Sequence, residues 1–541
     1  MYLCRIINLS NMKKRNLLFT AIFAMVTFAG LSVKAQDSVF SYAYQGTTLY
    51  YIIDGNQQAR VVPPLYPDMY YNADSTESST WYGYAQPQGN VVVPDSVVFS
   101  GTSYPVTAVE AFAFYLCDSV TSVTLPASVT YLEHDAFTLC SLETISMPGV
   151  TFMGEGCFYI AYALTSVEIP GGVTFIPEWG FDQCEALQSV TLHEGVTTLG
   201  LSCFRYCSSL QSVTFPQSLT TINDNAFNGC SSLLSLTLPS NLTSIGANAF
   251  EFCMNLQSVS FPESLTTIGV SAFHGCPSLQ SVDIPGSVSN IDSWCFAQCI
   301  NLSTVTLHEG TQTIGFCAFR ECISLTTINY PSTLEEIGSF AFQYDSMLTT
   351  PAIFPDGLTF LGVVAYGDCS SILTASLPGS IGEVPDEVFF GCTSLKTVTI
   401  GDGITAINEQ AFNHCPNIDT IYVKCAVPPT VGPSSDSTFY IYTSVLVVPC
   451  GSYDAYINNP IEEYFSEIIE DCNVGVSEVN LSEITIRVVN SRIEVEGAEG
   501  ETVRVFDITG KQVRNEALSA GIYLVQIGNR QAEKVVVHPN M

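Results

Sequence analysis

One aromatic residue returns along this chain at a fixed spacing. It is Phe114, Phe137, Phe158, Phe181, Phe204, Phe227, Phe250, Phe273, Phe296, Phe319, Phe342, Tyr366, Phe389 and Phe412. From Phe158 to Phe342 every step is 23 residues, with one step of 21 before Phe158 and one of 24 after Phe342. These are fourteen copies of a unit reading L-x-S-V-T-L-P-x-x-L-T-x-I-G-x-x-A-F-x-x-C. A unit this short cannot bury its apolar side alone, so it must stack on its neighbours. The fold class this dictates is a β-rich repeat solenoid.

The unit's own pattern sets its local structure. In the stretch S-V-T-L the two apolar residues are two apart, which puts them on the inner face of a strand and the hydroxyls on the outer face. The following Pro cannot donate to a ladder and closes the strand. L-T-x-I-G is a second short extended piece, and A-F-x-x-C is expected to close as a single turn of helix. The repeated apolar pair, for example Phe227 and Cys230, Phe250 and Cys253, and Phe273 and Cys276, is the stacking element. With parallel strands about 4.8 Å apart, fourteen units make a rod on the order of 65 Å.

The residues Leu256, Val259, Phe261, Leu265, Ile268, Gly269, Ala272, Phe273 and Cys276 resemble the Cys-ended bacterial leucine-rich repeat of BspA-like surface proteins and a treponemal relative. The resemblance covers 107–424 and implies a solenoid without catalytic chemistry. In that family some members adhere to host matrix or plasma proteins, or to other bacteria.

The repeat is framed by four other segments. Residues 1–35 read as a secretory signal: Met12 precedes the basic Lys13, Lys14 and Arg15, Leu17 to Leu31 is apolar, and Ala35 ends a small-residue cleavage site. Residues 36–106 hold strand-like runs joined by Gly and Pro and read as an N-terminal β-rich cap. Residues 425–475 contain "VPCGSYDAY", similar to the terminator that follows such repeats, and read as the C-terminal cap. Residues 476–541 carry "VFDITGKQV", "LSAGIYLVQI" and "KVVV". They are similar to the C-terminal sorting domain of the type IX secretion system, a small β-sandwich. That resemblance implies a Bacteroidetes bacterium, export across the outer membrane, and cell-surface or extracellular location.

Charge narrows the partners. Residues 36–475 hold 42 acidic and 5 basic residues, a net of −37. Such a surface repels phosphate backbones and excludes nucleic acid as a partner. After the leader no segment approaches 18 uninterrupted apolar residues, so no integral membrane span is expected in the mature chain.

The chemistry-bearing residues mostly belong to the repeat. Twelve of the 20 Cys occupy one slot, three after the ring, where Ala161 and Asp345 stand in the other two units. Side chains in equivalent slots point the same way, so these are expected to be buried, reduced thiols bonding neighbouring backbone groups. Cys425, Cys450 and Cys472 leave room for one disulfide, with the pairing open. "LHEG" at His193 and at His308 is one exposed loop on two tiles, not an HExxH helix. His274 occupies a slot filled elsewhere by Tyr115, Thr138, Asp182, Arg205, Asn228, Glu251 and Arg320, so that slot is expected to be exposed. No catalytic motif, metal site or cofactor signature is found, and the chain is read as not an enzyme. "DSV", "DSM" and "DTI" at Asp37, Asp95, Asp118, Asp345 and Asp419 resemble a short O-glycosylation signal.

The candidate partner-binding residues are the outward positions of the first strand: Thr191, Ser212, Thr214, Ser235, Thr237, Ser258, Ser260, Ser281, Asp283 and Thr306. They form an uncharged, hydrogen-bonding ribbon, and repeat arrays bind along such faces. The reading is a non-catalytic binding protein that adheres to host or bacterial surface proteins. The alternatives are a surface carbohydrate capture or degradation factor and a structural spacer. For carbohydrate, Trp81 with Tyr70, Tyr71, Tyr82 and Tyr84 are the only aromatic candidates, and these are expected to serve the cap.

Overall fold

The computed structural model describes residues 39–66, 80–81, 83–431, 439 and 444–471. It also describes the strands Thr485–Val489, Arg492–Glu496, Val503–Asp507, Gln512–Val513, Gly521–Ile527 and Glu533–Val537. The signal segment, Asp37, Tyr70, Tyr71, Tyr82 and Cys472 lie outside the described residues.

Each unit makes one turn of a β-solenoid. The first strand alternates as its sequence requires: Ser281–Ile284 runs exposed, buried, exposed, buried. Strands of successive units pair in parallel at the repeat spacing, as in Ser189↔Ser212, Val190↔Val213 and Thr191↔Thr214. The second extended piece builds a nine-stranded parallel ladder from Phe175–Ile176 to Phe360–Leu361. Threonines brace it along the array: Thr220 Oγ1 donates to Thr197 O at 3.1 Å, and Thr243 Oγ1 to Thr220 O at 3.0 Å.

The A-F-x-x-C segment departs from expectation, for it forms no helical turn. The residues two before and two after the ring take left-handed φ, as at Ser202 (53°) and Tyr206 (56°) around Phe204. These reversals bend the chain about the ring, so that alternate N–H groups close bonds within the turn, as Arg205 N does to Ser202 O at 3.2 Å, and the others point along the array. Phe204 N donates to Ala226 O at 2.8 Å and Tyr206 N to Asn228 O at 2.7 Å, both in the next unit. A four-residue helix would satisfy few of its own donors. The neighbouring turn offers aligned carbonyls, so stacking wins over local helix. The turns thus form a third ladder that donates forward, whereas the strands donate backward, as from Gly200 N to Ile176 O at 2.8 Å.

The periodic rings stack through the centre. Consecutive centroids lie 4.9 to 5.8 Å apart, in near-parallel planes. The stack extends one rung beyond the sequence period: Phe439 lies 5.5 Å from Phe412 at 8°. Its step of 27 residues conceals it in the sequence.

Both ends of the array are covered, as exposed ladder edges would otherwise pair with other chains. Phe40–Tyr44, Thr47–Ile53 and Ala59–Val62 form an antiparallel sheet. Ala59–Val62 then pairs in parallel with Thr102–Val109, which starts the second ladder. Gly89–Val92 pairs with Val120–Thr124 to start the first. At the far end Val445–Pro449 and Glu467–Asp471 continue the first ladder in parallel. Cys450 is disulfide-bonded, and Cys425 is a free thiol. The strands beyond residue 484 pair only antiparallel, in a two-stranded and a four-stranded sheet. Among the described residues no helix is long and apolar enough to cross a membrane.

Candidate interaction surfaces

The ribbon residues share one face. Ser235, Ser258 and Ser281 lie in register, as do Thr237 with Ser260 and Asp283 with Thr306. Eight of the ten are exposed, and Thr191 and Thr306 are half-buried. Those two are the positions whose lateral neighbours, Glu168 and Asp283, are held by a histidine from the next unit. The hydrogen-bonded sheet is interrupted between Ser212–Thr214 and Ser235–Thr237. The break follows the unit in which Phe215 fills the usual Leu position and stands edge-on to Phe227, 5.9 Å away. The larger ring leaves Val213 only half-buried. Thr191, Ser212 and Thr214 therefore sit on one sheet segment, and the other seven on the next.

The two "LHEG" loops are exposed and build one constellation twice. His193 Nε2 meets Glu168 Oε1 at 2.6 Å, and His308 Nε2 meets Asp283 Oδ1 at 2.7 Å. The adjacent carboxylates cap the next unit: Glu194 accepts from Gln217 N (2.9 Å) and Ser218 N (3.1 Å), and Glu309 accepts from Ser332 N (3.0 Å). These backbone donors stabilise the charged form and hold both carboxyls below their usual pKa. Among the described residues no group of three or more His, Cys, Asp or Glu could hold a metal ion.

The cysteine slot is a ladder of buried thiols; from Cys184 to Cys415 each donates to the carbonyl of the ring residue one unit back, while Cys140 donates to Cys117 O at 3.3 Å. Cys230 Sγ lies 3.1 Å from Phe204 O, Cys253 Sγ 3.5 Å from Phe227 O, and Cys276 Sγ 3.2 Å from Phe250 O. All three are free, as is every Cys among the described residues except Cys450. Burial pushes the thiols up, to about 12 for Cys299 and Cys415, so they are not activated nucleophiles.

The slot of His274 is corrected by the structure. None of its occupants is exposed, and Asp182 is fully buried. The side chains point along the array rather than out, and pair between units. Arg205 engages both oxygens of Asp182, at 3.1 and 2.6 Å, while His274 Nδ1 and Asn228 Nδ2 engage Glu251 at 3.0 and 2.7 Å. The slot accepts varied residues because it accepts varied pairs. Asp345, in the cysteine slot, is buried as well, while the hydroxyl-bearing Ser346 of its "DSM" is half-buried.

Of the aromatic candidates, Trp81 and Tyr84 are among the described residues. Trp81 is core at 2 % exposure, edge-on to Tyr50 at 5.7 Å, while Tyr84 is exposed against the same ring. Another group of exposed aromatics lies on the turn face between Phe252 and Tyr344. Its members are about one unit apart in sequence, so no local motif marks them. A depression of about 260 Å³ beside Phe354, Asp356, Asp402 and Lys424 is small for a ligand pocket.

A sequence profile of the BspA type leucine-rich repeat region matches residues 107–234, 221–349 and 337–440. The chain belongs to this family. The BspA-type match ends beside Phe439, the last ring of the stack. Among solved structures, a leucine-rich repeat protein from Bacteroides ovatus is 23% identical with a TM-score of 0.58, over 81% of this chain and 100% of that one. It shares the BspA-type solenoid fold. A leucine rich cell surface protein from Faecalibacterium prausnitzii is 22% identical with a TM-score of 0.36, over 81% and 96% of the two chains. The pneumococcal vaccine antigen PcpA is 19% identical with a TM-score of 0.39, over 81% and 100%. No curated protein matches this chain.

Proposed function

We propose that this BspA-type chain is a non-catalytic surface or secreted binding protein, which adheres to host or bacterial surface proteins along its hydroxyl ribbon. The observation that carries the reading is the exposed, in-register row from Ser235 to Asp283 on one sheet face. Such a face offers many weak hydrogen-bonding contacts to an extended partner, and multivalency supplies the affinity. Residues 1–35 and 476–541 supply the route, as signal and type IX sorting domain, with 36–106 and 425–475 as caps.

The test is binding of the full secreted chain to immobilised matrix, plasma and bacterial surface proteins. A Ser235→Lys/Ser258→Lys/Ser281→Lys variant places bulk and charge on the ribbon without touching the core. Binding should fall by roughly tenfold or more, with an unchanged melting temperature. Unchanged binding by the variant, or no binding by the parent, refutes the ribbon reading. Removal of 476–541 should abolish surface display.

A further inference from the structure

We propose that the turn face carries a second binding site, an aromatic track for a neutral linear glycan. It is independent of the ribbon reading, because it lies on another face. Phe252, His274, Trp294, Phe316 and Phe340 come from five consecutive units and make one unbroken chain of ring contacts. Their centroids are 5.4, 6.0, 5.8 and 5.6 Å apart in turn. Arg320 continues the track to a sixth ring, with its guanidinium 5.7 Å from Trp294 and 5.6 Å from Tyr344. Phe252, Phe316 and Tyr344 remain 42 to 43 % exposed. The half-buried rings of His274, Trp294 and Phe340 link these three, so partly exposed aromatic surface runs along the face, and a patch of this kind marks a contact site.

The backbone is shaped to hold a ring here. A Cβ on Gly275 would stand 2.6 Å from Phe252 Cδ1, so the glycine lets that ring lie against the next turn. The ring face carries negative potential, which favours the weakly positive C–H face of a pyranose. Fixed polar groups border the rings to meet hydroxyls. Glu251 is held by His274, Gln298 Nε2 donates to Glu321 Oε2 at 3.1 Å, and Arg320 Nε donates to Gln343 Oε1 at 3.0 Å. The core rings beneath advance 5.2 to 5.6 Å per unit, close to the length of one sugar in an extended chain. Charge selects against an anionic ligand, since the chain from 36 to 475 carries −37 and Glu251 and Glu321 flank the track. A peptide would need pockets for its anchors, and the depression beside Asp402 lies away from this face.

The experiment titrates the full secreted chain with cellohexaose, xylohexaose and maltohexaose, by calorimetry and tryptophan fluorescence. At least one should bind and change the emission of Trp294. Phe252→Ala/Phe316→Ala should bind roughly tenfold or more weakly with an unchanged melt. Phe175→Ala, an exposed ring on the second-strand face, and the ribbon lysine variant should bind like the parent. Should the double variant fail to fold, Tyr344→Ala alone is expected to weaken binding. No binding to any of the three sugars overturns the proposal, as does full binding by the folded double variant. Concentration-dependent self-association that the double variant loses would assign the track to a second copy of the chain, and also overturns it.

Discussion

The units around Phe273 and Phe342 solve the same packing problem with different residues three positions after the ring. In the first, Cys276 is small and buried, and it donates to Phe250 O at 3.2 Å. In the second the slot holds Asp345, fully buried, with neither carboxyl oxygen hydrogen-bonded in ordinary geometry. The first ladder is also interrupted there, between Thr327–Ile328 and Ala352–Ile353, and the next step lengthens to 24 residues. Tyr366 replaces the next ring and bonds Tyr330 through their hydroxyls at 2.9 Å. The slot is otherwise filled by small residues, Cys or Ala161, and the array carries Asp345 as an exception because each unit touches only its neighbours.

Transplanting the exception should have the largest effect. Cys276→Asp buries a second unpartnered carboxyl, without the lengthened step that accompanies Asp345. The expected loss is about 3 kcal/mol or more in urea unfolding. A loss below about 1 kcal/mol would show that the slot is indifferent to what fills it. Repair should act in the opposite direction. Asp345→Cys restores a donor towards Phe319 O and should stabilise by about 1–3 kcal/mol.

The repair also has a signature in pH. Burial first, and then the charge of Glu321, raise the Asp345 pKa well above the ordinary carboxylate value, and the Cys322 backbone opposes this only in part. The folded chain thus keeps a proton that the unfolded chain releases. Its contribution to stability is fully present below the unfolded pKa, about 4, and is lost as pH rises through the folded value. Melting curves from acid to neutral pH should show this decline in the parent. The Asp345→Cys difference should widen as pH rises, and a pH-independent difference would refute the assignment.

The contrast between these units also shows what a sequence of this kind discloses. The ring period and the S-V-T-L alternation made the solenoid and its buried stack legible, because each is a local pattern repeated many times. The turn was not legible because alternate bonds run to the next unit: Phe204 N donates to Ala226 O, whereas Arg205 N bonds Ser202 O within the turn. The His274 slot was misread for a related reason. Variety within one column suggested exposure, but Asp182 with Arg205 and Glu251 with His274 are choices coupled between adjacent units. The track from Phe252 to Tyr344 escaped notice because its rings occupy four different columns of the unit. Only the stacking brings them together.

The smallest expected effect is the most discriminating for the cysteine slot. Cys276→Ala removes one thiol hydrogen bond and little volume, and Ala161 already fills this slot at 0 % exposure. The expected cost is about 1 kcal/mol, from a weak donor and a small cavity. Two mechanisms would give a larger number. A hidden disulfide would cost about 2–5 kcal/mol, although Cys276 is free. Cooperative coupling along the thiol ladder would make Cys276→Ala/Cys299→Ala cost more than the sum of the single changes. Since each thiol bonds a carbonyl and not another thiol, as Cys299 Sγ does with Phe273 O at 3.3 Å, the two losses should simply add. A double-mutant cycle with a coupling above about 0.5 kcal/mol would mean that the ladder acts as one unit. The contrast between Cys276 and Asp345 would then concern the whole column rather than a single slot.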